Sequence, residues 1–237
     1  MAVQVRQALV AIGGKASRLR ADGVAVPASK AFLPLAGRPL LFWTLLALRQ
    51  AGVTSVVLSG NETRFLYRAE QLLSSFGHRF QEVAFFQDGG LGVHALPYKI
   101  KHLLHPTFIF ECGHQITQPS HYRALMKAKT TTNIVLTAVI PHPDNPRYPV
   151  RLRPSSAEPA EELGPGVYAL AHPLVVDQAY SRQLLASDFN VKEVINHYAA
   201  HNQLAYVKSN LPPEFDIAAE LQQARLVYTD SIKALRR

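Results

Sequence analysis

Five residues near the N-terminus, Ala8-Leu9-Val10-Ala11-Ile12, form an uninterrupted apolar run that stops at Gly13-Gly14. A run this short and this apolar reads as a strand buried on both faces, as happens where helices cover both sides of a parallel sheet. The unit recurs along the chain. Ser55–Leu58, Glu82–Phe86, Thr107–Glu111 and Ile134–Ile140 read as further strands. Between them the pattern predicts helices over Leu40–Gln50, from a cap at Asn61 to Gly77, over Gly92–Leu104, and from Pro119-Ser120 to about Lys129. Pro39 suits a first helical turn and Gly52 a helix stop. The alternation specifies an α/β fold with a doubly wound, mostly parallel sheet. Ligands of such sheets sit outside the carboxyl ends of the strands. Gly13-Gly14, Gln87-Asp88, Gly113-His114 and the turn at 141–149 all follow strands, so they are expected to converge on one cleft.

From Pro141 the texture changes, with Pro141, Pro143, Pro146, Pro149 and Pro154 breaking the pattern. Residues 154–165 read as a mobile loop. Gly166–Ala171 is expected to be a strand, and Leu174–Ala186 and Val191–His201 helices, the second capped by Asn190. Leu204–Lys208 reads as a short strand, and the C-terminus from Asp216 as helical.

At 237 residues the chain suits one large domain. No apolar run approaches the ~18 to 20 residues of a membrane span. No secretory signal is visible at the start, and the single cysteine, Cys112, suits a reducing compartment, so the expectation is a cytoplasmic protein without a membrane partner. The formal charge of +8 favours anionic partners. The basic residues are scattered, and neither zinc-finger spacing nor an aromatic RNA-binding motif accompanies them, which argues against a specific nucleic-acid partner.

Glycine-rich turns after strands present backbone N–H groups to phosphate. Arg18 and Lys30 follow the first such turn and are placed to neutralise a polyphosphate. Lys15-Ala16-Ser17 after Gly13-Gly14 breaks the dinucleotide fingerprint G-x-G-x-x-G, and the P-loop pattern is missing too. Both absences count against a dehydrogenase and a P-loop kinase.

In this order the motifs resemble those of the sugar-phosphate nucleotidylyltransferases, whose signature runs G-G-x-G-T-R-L … P-K-x-L-x-P-x-x-G-x-P-L. Ser17-Arg18-Leu19 matches T-R-L, and Ser29-Lys30-Ala31-Phe32-Leu33-Pro34-Leu35-Ala36-Gly37-Arg38-Pro39-Leu40 matches the second block. Gln87-Asp88-Gly89-Gly90-Leu91-Gly92-Val93-His94-Ala95 resembles the base-reading loop, and Glu111-Cys112-Gly113-His114-Gln115-Ile116 the strand end G-D-x-I. Gly164-Pro165-Gly166-Val167-Tyr168 is similar to N-x-G-I-Y, and Phe215-Asp216-Ile217 to W-x-D-I.

The resemblance implies a Rossmann-like nucleotidyltransferase fold. Residues 1–140 would form the nucleotide-binding core, and 141–237 the acceptor-binding half and C-terminal helix of the same domain. It implies transfer of a nucleoside monophosphate from an NTP to a phosphorylated small-molecule acceptor, a sugar phosphate or similar, with release of pyrophosphate. Arg18 would hold the β- and γ-phosphates, and Lys30 the α-phosphate and acceptor. Ile12, Gly13, Gly14, Ser17, Gln87 and Gly92 would bind the nucleotide, His114 and Gly166 the acceptor, and Asp216 a Mg²⁺ ion. A homo-oligomer is compatible with this reading.

Three positions depart from the pattern. Ala16 replaces a glycine, His114 replaces the metal-binding aspartate, and the E-K-P lysine that grips a sugar 1-phosphate has no counterpart at Glu158-Pro159. Arg151 or Arg153 could substitute for that lysine, and Glu111 or Asp88 for the lost magnesium ligand. The alternative reading is therefore a non-catalytic relative that binds nucleotide as a regulatory or scaffolding module.

Overall fold

The computed structural model describes residues 4–14, 16–26, 29–77, 79–90, 92–129, 132, 134–139, 149–153, 156–159, 164–209 and 218–236. In chain order the elements are β1 (Gln7–Ala11), α1 (Ser17–Ala21), α2 (Leu40–Ala51), β2 (Ser55–Gly60) and α3 (Thr63–Ser74). Next come β3 (Glu82–Gln87), α4 (Leu96–Lys99), β4 (Thr107–Cys112), α5 (Pro119–Ala128) and β5 (Ile134–Val139). The remainder comprises β6 (Pro149–Arg153), β7 (Ser156–Pro159), β8 (Val167–Asp177), α6 (Gln178–Ala186), α7 (Val191–Ala200), β9 (Leu204–Lys208) and α8 (Ala218–Leu235).

The main sheet runs β9-β5-β8-β4-β1-β2-β3, with β6 on β8 and β7 on β6. β1 pairs in parallel with β2 and β4, β2 with β3, and β9 with β5. Along the first strand, side chains alternate between two cores. Ala8, Val10 and Ile12 pack into the layer that includes Leu41, Leu45 and Tyr228, whereas Leu9 faces the layer of Phe108, Tyr180 and Val194. Helices thus cover both faces, which is why these strands are apolar throughout rather than alternating.

Along the main run of strands β8 breaks the parallel order, and β6 and β7 pair antiparallel beside it. β8 runs antiparallel between β4 and β5. Its register shifts between Ala171 and Leu174. The apolar stretch Leu174-Val175-Val176, expected to open a helix, stays in this strand, buried between both neighbours. The helix begins only after Asp177, whose Oδ1 accepts bonds from the backbone N–H of Ala179 at 2.9 Å and Tyr180 at 3.3 Å. The other oxygen of Asp177 meets the Lys129 ammonium at 3.3 Å.

Three further expectations change. Asn61 does not cap α3; Glu62 occupies that position without a side-chain cap bond, and the helix stops at Ser74. Gly92–Leu104 is not one helix. It divides into a 3₁₀ turn at Val93–Ala95, α4, and a second 3₁₀ turn at Lys101–Leu103. Pro97 has no N–H to donate backwards, so it can only start a new helix. The segment read as a loop over 154–165 contains β7, paired to β6; residues 154–155 and 160–163 lie outside the described set.

α2 is buried along most of its length, and Trp43 Nε1 donates to the Leu35 carbonyl at 2.9 Å, tying the helix to the short hairpin of Pro34–Leu35 and Arg38–Pro39. On α5, His121 Nε2 lies 2.9 Å from Thr137 Oγ1, and that hydroxyl donates to the Pro173 carbonyl at 2.7 Å. The hydroxyl proton being committed to Pro173, the imidazole acts as the Nε2–H donor. Burial lowers the His121 pKa to about 4.

Candidate functional site

The carboxyl ends of β1, β2, β3 and β4 meet around a cavity of about 480 Å³. Ala11, Gly13 and Gly14 contribute from the first strand, Asn61 from the second, Asp88, Gly90 and Gly92 from the third, and Cys112 and His114 from the fourth. Lys30, Val93 and Leu96 complete the wall. The cleft expected from the strand pattern is therefore present, except for the turn at 141–148, which lies outside the described residues.

Close packing dictates the first loop. A Cβ on Gly13 would stand 2.9 Å from Asn61 Oδ1 and 3.2 Å from the Asn61 backbone nitrogen, so only glycine lets the two strand ends approach. Ile12 lies wholly buried beneath, its N–H bonded to the Ser59 carbonyl at 2.8 Å. Ala16 holds a φ of +49°, a left-handed conformation that glycine would adopt without strain. Ser17 is exposed at the start of α1 and does not line the cavity. Arg18 lies in α1, with its side chain outside the described groups.

Lys30 opens a 3₁₀ turn over Lys30–Phe32, whose Ala31 and Phe32 are buried. That anchorage sets the lysine's backbone at the cavity wall.

Asp88 organises the third loop. Its carboxylate accepts from Ser59 Oγ at 3.3 Å and from the Gly90 N–H at 2.8 Å. This closes a turn in which Gly89, Gly90 and Gly92 all have positive φ. Gln87, the residue expected to read a base edge, is exposed and accepts a bond from Thr63 Oγ1 at 3.0 Å; it does not line the cavity.

The fourth loop is wedged in place. A Cβ on Gly113 would meet Ile12 Cγ2 at 2.9 Å and Leu41 Cδ1 at 3.1 Å. His114 N–H donates to the Cys112 carbonyl at 2.7 Å, and the Gln115 carbonyl accepts from Thr44 Oγ1 of α2 at 2.7 Å. Glu111, one position before Cys112, points to the other face. Its oxygens accept from the Cys112 N–H at 2.7 Å and the Tyr122 hydroxyl at 2.7 Å. Burial first, and the Glu111 charge second, raise the Tyr122 pKa well above its usual value, so the phenol remains a donor.

Of the remaining candidates, Gly166 is exposed at φ +79° ahead of β8 and does not line the cavity. Its strand pairs Ala169 with Val139, so it lies at the same edge of the sheet as the cavity, beside β5. Arg151 pairs opposite Val167 and is exposed. Asp216 lies outside the described residues. Sequence reasoning missed Asn61 and Cys112 as wall residues and Asp88 as the loop's organiser. The Asp-Gly-Gly triplet after a strand was the available signal for the last.

The sequence profile of the MobA-like NTP transferase domain matches residues 8–191. The chain belongs to this family. The matched span holds all four strand ends of the cavity together with Lys30. Solved structures of similar fold include the inositol-1-phosphate CTP transferase from T. maritima, 17% identical, with a TM-score of 0.75 over 98% of each chain. Another is a CMP:2-keto-3-deoxy-manno-octonic acid synthetase complexed with CTP, 13% identical, with a TM-score of 0.67 over 96% of this chain and 99% of that one. A third is a protein from Bacillus anthracis assigned as a glucose-1-phosphate thymidylyltransferase, 16% identical, with a TM-score of 0.70 over 94% and 95%. A comparison with curated protein sequences gives no significant match.

Family members generally use a divalent metal. Mg²⁺ requires several oxygen donors in octahedral array. Among the described residues no group of three or more His, Cys, Asp or Glu is arranged to hold a metal ion. Asp88 is engaged by its own loop and by Ser59, Glu111 faces Tyr122, and position 114 offers nitrogen. Mg²⁺ at a nucleotide site takes one or two carboxylates together with substrate phosphates and water; Asp88 is the carboxylate at the cavity wall, and Asp216 lies outside the described residues. No helix among the described residues is long and apolar enough to cross a membrane.

Proposed function

We propose that this protein transfers a nucleoside monophosphate from an NTP to a phosphorylated small-molecule acceptor, releasing pyrophosphate. One observation carries the reading: the Gly13-Gly14 turn, Lys30 and the Gly90–Gly92 loop face a single cavity at the carboxyl ends of parallel strands. In this reaction an acceptor phosphate oxygen attacks the α-phosphorus, and the bond to the bridging α–β oxygen breaks in line with it. Positioning and charge neutralisation are what the protein must supply. Backbone N–H groups of the first loop bind the phosphates and Lys30 neutralises the α-phosphate. The Gly90–Gly92 loop admits the base to close approach, with Gln87 at its rim, and Asn61 and Val93 fill the wall around the nucleoside.

Ile12 and Ser17 support the first loop, and Arg18 is assigned to the β- and γ-phosphates. His114 and Gly166 line the approach of the acceptor, with Arg151 or Arg153 gripping its phosphate. Asp216, matched to the family's W-x-D-I segment, is the residue assigned to the metal. A sugar phosphate or similar polyol phosphate is the acceptor class, by the company the fold keeps. We assign the reaction to the cytoplasm, where nucleoside triphosphates are abundant and the buried thiol of Cys112 stays reduced.

The test is pyrophosphate release over a matrix of four NTPs and a panel of sugar and polyol phosphates. Turnover with at least one pair is expected, together with a loss of about tenfold or more in kcat/KM in Lys30→Ala. Nucleotide binding without turnover across the matrix would overturn the catalytic reading in favour of a regulatory nucleotide-binding module, the reading that His114 favours.

A further inference from the structure

We propose that His197 and His201, one turn apart at the end of α7, chelate a divalent transition-metal ion of the Zn²⁺, Ni²⁺ or Cu²⁺ class. The site is separate from the nucleotide cavity. Through β5, β8 and β4, strand β9 points the same way as β1. α7 ends just before β9 starts at Leu204, so the pair sits at the amino end of the sheet, opposite the cavity.

The sequence sets the spacing. In Asn196-His197-Tyr198-Ala199-Ala200-His201 the histidines stand at i and i+4, which brings side chains together on one helical face. Two histidines so spaced on a helix bind zinc in the H-E-x-x-H metalloproteases. The other face of α7 is anchored, with Val194, Ile195 and Tyr198 buried in the layer of Phe108 and Tyr180. The two histidines are exposed, and their rings lie 4.5 Å apart, centroid to centroid, with planes tilted by 39°. Two nitrogens bound at about 2.0–2.1 Å to one tetrahedral ion stand roughly 3.3 Å apart, a separation that rings this close reach by rotating about χ2.

The hydrogen bonding suits a cation. His201 Nδ1 lies 2.7 Å from the His197 carbonyl oxygen. A carbonyl only accepts, so Nδ1 carries the hydrogen, and in the neutral ring Nε2 keeps the lone pair. A backbone carbonyl on one ring nitrogen is the arrangement that orients a metal-binding imidazole. The ring of His197 makes stacking contacts with Tyr198 and His201 and no hydrogen bond among the described residues, so either of its nitrogens is open to a metal. The last carbonyls of α7 add a negative potential that favours a cation at this turn.

The donor set selects the ion. Neutral imidazoles suit Zn²⁺, Ni²⁺ and Cu²⁺, whereas Mg²⁺ prefers oxygen. Among the described residues no third His, Cys, Asp or Glu joins the pair, so water takes the remaining positions.

Calorimetric titration of the full, untagged chain with NiCl₂, ZnCl₂ and CuCl₂, with the imidazole resonances followed by NMR at substoichiometric Cu²⁺, tests the site. The His197 and His201 resonances should broaden first and together. Cu²⁺ should bind more tightly than Ni²⁺ or Zn²⁺, and millimolar Mg²⁺ should displace none of them. His197→Ala and His201→Gln should each weaken Ni²⁺ binding by about tenfold or more, because each loses the intramolecular second ligand. Glutamine at 201 keeps a donor for the His197 carbonyl, so the loss there reports ligation rather than helix capping. The double variant should bind within about threefold of either single one, since one imidazole alone no longer chelates. Broadening that starts at other histidines overturns the inference, as does a single variant that binds Ni²⁺ like wild type. Losses that multiply in the double variant, or binding of none of the three ions, overturn it equally.

Discussion

Acidification isolates His121. In the folded chain this imidazole donates through Nε2 to Thr137 and is pushed by burial to a pKa of about 4, against 6.5 for the unperturbed group. The unfolded state therefore takes up the proton first as pH falls. The contribution to stability is complete above pH 6.5 and is lost progressively between about 6.5 and 4. Each pH unit in this window removes about 1.4 kcal/mol, so the whole window removes about 3 kcal/mol. That is a large fraction of a typical folding free energy. Urea unfolding followed by circular dichroism at pH 7, 6, 5 and 4.5 measures it. Carboxylates titrate in the same range, so the informative quantity is the difference from His121→Gln, which keeps a donor for Thr137 and has no proton to gain. Wild type should lose its advantage over the variant as pH falls, with the gap closing or reversing by about 2 kcal/mol at pH 4.5. Parallel stability curves for the two proteins would refute the assignment of a buried neutral imidazole.

Other perturbations follow from the same structure. Ala16→Gly removes a left-handed alanine, which relieves about 1–2 kcal/mol of strain against about 0.5–1 kcal/mol of added chain entropy, so the melting midpoint should rise by a few degrees. Gly113→Ala forces a methyl against Ile12 and Leu41 and should destabilise by about 1–3 kcal/mol in urea titration. Tyr122→Phe removes the phenol bond to the buried Glu111 carboxylate and should destabilise by about 2 kcal/mol in urea titration at neutral pH.

Much of the architecture was legible because the chain writes parallel, doubly covered strands as plain apolar runs. β1, β2, β4 and β5 are of this kind, and their order alone predicts where the loops gather. The misreadings have physical causes. Pro173 before an apolar stretch imitates a helix start, yet Leu174–Val176 are claimed by β4 and β5 on either side, a demand visible only in three dimensions. Asn61 before a helical pattern imitates a cap, but its side chain abuts Gly13, in the loop that follows β1, far away in sequence. The acidic residues divide similarly. Strand alternation places Glu111 and Cys112 on opposite faces, but the bond to Tyr122 that finally occupies Glu111 comes from the next helix. The parts of the candidate site that rest on Asp216 and the Arg18 side chain lie outside the described residues.

The position of β8 bears on the order in which the protein can assemble as it leaves the ribosome. Strands β1 to β4 find each other as parallel neighbours once the first 112 residues exist. β5 cannot join them, because its two partners, β8 and β9, are made later. Until Val167–Asp177 emerges, the open edge of β4 and both edges of β5 have no strand to pair with. The four strand ends around the cavity thus belong to the half that can form early, while the half made later closes the sheet. A ribosome-stalled chain ending near residue 150 should accordingly present paired β1–β4 to protease and an unpaired, chaperone-binding β5.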